Sequence, residues 1–157
     1  MKKVTPFLWY DHQAEEAANF YVSVFQNSKV TSVNRVDKRV MTVNFELDGQ
    51  QFIALNAGPH FKFTEAISFF ISCETQQEVD RFWDQLSEGG EKSQCGWLKD
   101  KYGLSWQVIP TALTKLMGDP DPVRSKAVMD AMLKMKKIVI ADLQHAYDQA
   151  GTARASR

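Results

Sequence analysis

Residues 7–21 read FLWYDHQAEEAANFY and residues 67–86 read ISFFISCETQQEVDRFWDQL, and the two stretches follow one plan. Each opens with aromatic and branched apolar residues that pack well on a pleated surface, so each predicts a strand. The first run extends back through VTPFLWY to Val4, with Pro6 suited to a strand start or an edge. Each stretch then changes period. Ala14, Ala17, Ala18, Tyr21, Val24 and Phe25 recur at spacings of three and four, as do Val79, Phe82, Trp83 and Leu86, which gives each helix one apolar stripe. Asp11 is placed to cap the first helix, with Glu15 and Glu16 at the positive end of its dipole. Phe20-Tyr21 and Phe82-Trp83 stand 62 residues apart. A constant offset between like segments marks an internal repeat.

The segments after each helix support the repeat. Lys29 to Arg35 has strand composition, and Met41 to Asp48 alternates apolar Met41, Val43, Phe45 and Leu47 with polar Thr42, Asn44, Glu46 and Asp48. Asp48-Gly49 then turns the chain into a strand over Gln51 to Asn56, because hairpin turns want residues that tolerate positive φ. Gly58 to Glu65 connects the halves. In the second half Gly89-Gly90 closes the helix, short strands fit Glu91 to Cys95 and Gly96 to Lys99, and Ser105 to Ile109 follows a Tyr102-Gly103 turn. Both halves read βαβββ. Beyond Pro110 come a short helix over Thr111 to Met117, a breaker Gly118-Asp119-Pro120-Asp121-Pro122, and one long helix over Val123 to Ala150 with apolar Ala127, Val128, Ala131, Met132 and Met135. The expectation is a single α+β domain, with module one over about residues 1–60, module two over about 61–112 and a helical tail over about 113–150.

Composition excludes several classes of function. With 157 residues, 44% apolar and 24% charged, the chain buries one substantial core. Nineteen Lys+Arg balance 19 Asp+Glu, so no net field draws it to phosphate backbones or anionic lipid, and neither nucleic acid nor a membrane is an expected partner. The apolar run Pro6 to Tyr10 ends at Asp11, far short of the ~20 residues of a membrane span, so the expected location is cytoplasmic. Cys73 and Cys95 make neither a disulfide framework nor a metal knuckle and read as reduced thiols. Cys95 has no basic residue fixed beside it by the sequence, so an inert thiol is expected there.

The strings FLWYDHQAEEAANFY, NAGPHFKFTEAISFFISC, QCGWLKDKYGLSWQVIP and VMDAMLKMKKIVIADLQHAY resemble the PhnB-like family of the vicinal oxygen chelate superfamily, whose members carry the label 3-demethylubiquinone-9 3-methyltransferase-like. The resemblance runs nearly end to end. It implies the glyoxalase/bleomycin resistance/extradiol dioxygenase fold: two βαβββ modules whose sheets curl around a concave pocket, usually in a homodimer. Met129, Met132 and Met135 would add adaptable contact surface in the tail. The methyltransferase label finds no support in a cofactor motif, since no Gly-rich strand-to-helix turn is present and Gly89-Gly90 lies between a helix and a strand. No cofactor is expected.

Enzymes of the superfamily hold a divalent metal with His and Glu from the first and last strands of each module. By that resemblance the positions fall near Pro6 to Leu8, at Asn56, near Ser68 and at Gln107. None of these is a charged or imidazole ligand, so no metal is expected. His12 reads as a surface or capping residue and His145 as surface, while His60, in the loop after Gly58-Pro59, either faces the pocket or is an ordinary loop histidine.

If Gln107 points inward, as the resemblance implies, then Ser105 shares its face and Trp106 points into the helix layer. Asn56 shares a face with Ala54 and Phe52, while Asn44 and Glu46 lie on the polar face of their strand. Trp9, Phe70 and Trp97 are either pocket walls or core. The expected ligand-binding set is therefore Trp9, Asn44, Glu46, Asn56, His60, Ser68, Trp97 and Gln107, with no catalytic residue assigned. Such a set suits a small-molecule-binding protein taking an aromatic or hydrophobic ligand. The alternative is an enzyme acting on an aromatic or quinone-like metabolite, with Glu46 and His60 as its only titratable candidates.

Overall fold

The computed structural model describes residues 2–155, and between Phe63 and Thr64 the chain divides into two compact units. In the first, β1 (Phe7–Tyr10) leads through α1 (Ala14–Val24) to a meander of β2 (Lys29–Val36), β3 (Arg39–Leu47) and β4 (Gln50–Asn56). The sheet order is β1-β4-β3-β2, with β1 parallel to β4 and the other pairs antiparallel. The expected hairpin is present: Asp48 and Gly49 both take positive φ, the conformation that joins twisted strands through two residues. A second such turn, Asp37-Lys38, also has both residues at positive φ and joins β2 to β3.

Alternation decides the two faces. Leu8, Tyr10, Val43, Phe45, Leu47, Phe52 and Ala54 are buried, as are Ala14, Ala17, Ala18, Tyr21 and Val24 of α1, which packs against β3 and β4. Three small alanines let the helix backbone come close, and the aromatic side chains fill what remains. Tyr21 stacks on Phe45, Phe45 stacks on Phe52, and the Tyr10 and Tyr21 hydroxyls hydrogen-bond at 3.1 Å.

The second unit repeats this plan with β5 (Ser68–Cys73), α2 (Gln76–Ser87), β6 (Glu91–Lys92), β7 (Trp97–Lys99) and β8 (Ser105–Pro110) in the order β5-β8-β7-β6. Again the first strand lies parallel to the last and the rest pair antiparallel. The same connectivity in both units is the structural counterpart of the sequence repeat. Thr75 caps α2 by accepting from the Glu78 N–H, and Val79, Phe82, Trp83 and Leu86 form its buried stripe. Between β7 and β8 the Asp100 carboxylate accepts hydrogen bonds from the Tyr102 and Leu104 N–H groups and from the Trp106 indole, so a buried acid holds the turn closed.

The tail departs from the sequence expectation. After α3 (Thr111–Met117) it forms two helices, α4 (Pro122–Leu133) and α5 (Ile140–Ala155), instead of one. The link between them leaves the helix because the Met135 and Lys136 carbonyls accept hydrogen bonds from Cys95 and Gly96 and are lost to any helix ladder. Gly96 has φ +83, and a Cβ there would lie 2.8 Å from both Ile109 and the Val108 carbonyl, so only glycine fits under this link. Gln76 completes the seam, donating to the Ile138 carbonyl and accepting from the Ile140 N–H. Ile109, Leu113, Leu116, Val128, Ile138 and Leu143 form one buried cluster, with Met132 and Met135 packed against it. Those two methionines are therefore internal packing; only Met129 of the three is exposed.

Candidate functional site

Both sheets carry a helix on one face. In the first unit the face turned away from α1 bears Trp9, Asn44 and Glu46, which alternate with buried Leu8, Val43, Phe45 and Leu47. The register sets Asn44 opposite Ile53 and Glu46 opposite Gln51. The Trp9 indole donates to the Gly58 carbonyl at 2.8 Å and meets Phe61 edge-on, so its ring is fixed. A shallow recess of about 40 Å³ beside Asn44 has room for little more than a water. His60 lies exposed, its ring beside Gly58.

Asn56 lies elsewhere. It does share a face with Ala54 and Phe52, and that face is the one toward α1. Its Oδ1 accepts from the Ala14 N–H at 2.8 Å and its Nδ2 donates to the Val40 carbonyl. Asn56 thus caps α1 across 42 residues of chain, the role expected of Asp11, while Gln13 at the N-cap position makes no side-chain cap. His12 is exposed beside Asp11 and His145 is exposed on α5.

In the second unit three expected residues come together. Gln107 donates from Nε2 to the Ser68 Oγ at 2.9 Å, and Trp97 stands opposite Gln107 in the ladder, so all three share the face turned away from α2. Trp106, on the other face, packs toward Phe69 and is buried. Next to this group is a recess of about 160 Å³ lined by Glu65, Glu91, Ser93, Trp97, Leu98, Lys99 and Ser105. Lys99 and Glu65 form an ion pair. The hydrogen bond from Lys99 holds the Glu65 carboxyl below its usual range, and that same bond raises the Lys99 ammonium above its own. Sequence reading missed Lys99 and Glu65; it set Ser105 on the Gln107 face without counting it in the site. Lys99 was within reach of it, two residues beyond Trp97 on one strand and so on the same face.

Among the described residues no three His, Cys, Asp or Glu side chains cluster as metal ligands would. No helix is long and apolar enough to cross a membrane.

The family model described as 3-demethylubiquinone-9 3-methyltransferase matches residues 2–109, which is both βαβββ units and none of the tail helices. The chain belongs to this PhnB-like family. The PhnB protein from Bacillus cereus is similar at 35% identity over 69% of this chain and 99% of that one, with a TM-score of 0.66. A protein from Pseudomonas aeruginosa shares the fold at 17% identity, over 70% of this chain and 98% of that one, with a TM-score of 0.58. A glyoxylase/bleomycin resistance protein/dioxygenase domain from Frankia sp. is matched at 13% identity over 70% of this chain and 92% of that one, with a TM-score of 0.47. Among the curated proteins compared, none matches.

Proposed function

We propose that this PhnB-like protein binds a small aromatic or hydrophobic molecule, and that the face of the second unit's sheet turned away from α2 is its principal contact. The observation that carries the reading is the Gln107–Ser68 hydrogen bond beside the Trp97 ring. Those two groups are neutral. The pair leaves the Gln107 carbonyl and the Ser68 hydroxyl proton to engage a ligand, and an aromatic wall with a few neutral polar groups is what a small-molecule site offers. Trp9, Asn44 and Glu46 supply a similar surface on the first unit's sheet. Asn56 is left out of the proposed site because its amide is spent on α1 and Val40.

The superfamily implies a divalent metal and the family's description implies a methyl donor, and the residues present suit neither. The positions the resemblance points to hold Asn56, Ser68 and Gln107, and a committed cap with a hydroxyl–amide pair is a poor donor set for a transition metal. The two strand-to-helix turns are not glycine-rich, and each has one of its helix N–H groups taken internally, by Asn56 in α1 and by Thr75 in α2. A binding role is therefore favoured over catalysis, and no step of chemistry is assigned.

A thermal-shift series with small aromatics and quinones tests the reading, since a ligand at a hundred times its dissociation constant adds ~2.7 kcal/mol. The expected result is a ligand whose shift is lost in Gln107→Ala and which is recovered chemically unchanged. Recovery of a product would replace the binder with an enzyme acting on a quinone-like metabolite.

The reading includes a homodimer in the cytoplasm. Phe7 and Phe70 are 56% and 57% exposed on the first strands of the two units, large apolar surfaces that a second subunit would cover. The free thiols Cys73 and Cys95 suit a reducing compartment. Light scattering at micromolar concentration should give twice the chain mass; a monomer would remove the dimer from the reading.

A further inference from the structure

We infer that the recess of the second unit takes a small organic ammonium ion carried on an aromatic or short apolar frame. The inference rests on the binder reading and names the ligand's charged group. Three observations converge. The first is Ser105, wholly buried and lining the recess, whose Oγ has no hydrogen-bond partner among the described residues. A buried hydroxyl left unpaired is unfavourable, and a group arriving from the recess would satisfy it.

The second observation is charge. Among the described residues Lys99 is the one cation lining the recess, and it is paired with Glu65. Glu91 stands directly across the ladder from Lys99 and has no ion pair within 4.0 Å among the described residues. Two carboxylates against one ammonium leave one negative charge, which a monovalent cation neutralises and a carboxylate or phosphate would double. The third observation is Trp97, which lines the same recess and is the side chain type that most favours a cation over its ring. An ammonium seated there donates to the Ser105 Oγ and to the Glu91 carboxylate, and its frame lies along Trp97.

Benzylamine, benzyl alcohol and benzoate share a ring and differ in head group, so calorimetric titration of the full-length protein with each isolates the charge. Benzylamine should bind saturably and about tenfold more tightly than benzyl alcohol, with benzoate weakest, and added salt should narrow the gap. Glu91→Gln, at an exposed position, should abolish the preference for the amine. Ser105→Ala should weaken benzylamine binding while leaving the melting temperature of the free protein unchanged or higher, whereas a hydroxyl needed only for packing would lower it. Equal affinity for benzoate, an unchanged preference in Glu91→Gln, or no saturable benzylamine binding overturns the inference. If the preference for benzylamine is absent while uncharged aromatics bind in a Gln107-dependent way, this inference falls and the binder reading stands; if no aromatic binds, both fall.

Discussion

Cys73 ends β5 on the face toward α2 and is fully buried, and burial, reinforced by Glu78, pushes its thiol up to about 12 against a weaker opposing pull from Arg81. A pKa raised on folding means that the native state holds a proton the unfolded chain releases. The stabilisation is complete below the unfolded value of ~8.5 and is lost as pH rises toward 12. Stability should therefore fall across that window, and Cys73 should react with a thiol reagent at pH 9 only as fast as the protein unfolds. Counting fast-reacting thiols with and without denaturant checks this; two fast thiols in the native protein would contradict it. Burial of this kind follows from the alternation of ISFFISC and was legible in the sequence. The sharing of a face by Ser68, Trp97 and Gln107 was legible in part, since period two relates residues within a strand and the family resemblance related the strands. Glu65 was not, because it lies outside any strand and reaches Lys99 only through the folded turn of chain before β5.

At the scale of elements, what the sequence announces is whatever local chemistry determines. The Asp48-Gly49 turn, the α2 cap at Thr75 and the apolar stripes are all written within a few residues of where they act. The Asp37-Lys38 turn is not announced by any glycine, yet both residues take positive φ because the long β2–β3 pairing imposes it, and so β2 and β3 each run further than composition suggested. The cap of α1 escapes local reading for a related reason. Asp11 is near the helix in sequence, but its carbonyl accepts from Gly58, and β4 delivers the Asn56 amide to the helix start once β1 and β4 have paired in parallel. Periodicity also continued across residues 134–139 and predicted one tail helix. Tertiary hydrogen bonds to Cys95 and Gly96 outcompete that local preference and split it.

For the whole molecule the tail poses the sharpest question, because the family match ends at residue 109 and the Bacillus cereus relative is covered to 99% by only 69% of this chain. The relative's fold is thus complete without such an appendix, while here the tail is sewn into the second unit. The Cys95 and Gly96 N–H groups, both polar groups of the Gln76 amide and the Ile109 side chain all find their partners in residues 113–143. A chain ended after Pro110 would leave those backbone donors without their acceptors, at ~1 kcal/mol or more each, and would expose Ile109, worth roughly 1.5–3 kcal/mol. Summed, the loss is about 3.5–5 kcal/mol, a large share of the ~5–15 kcal/mol that stabilises a whole domain. The truncated protein should therefore melt earlier, and its hydrogen exchange should speed up at β7 and β8 while the amides of β3 and β4 stay protected. Unchanged protection in β7 and β8 would mean that the second unit holds its shape unaided and that the tail serves something other than its stability.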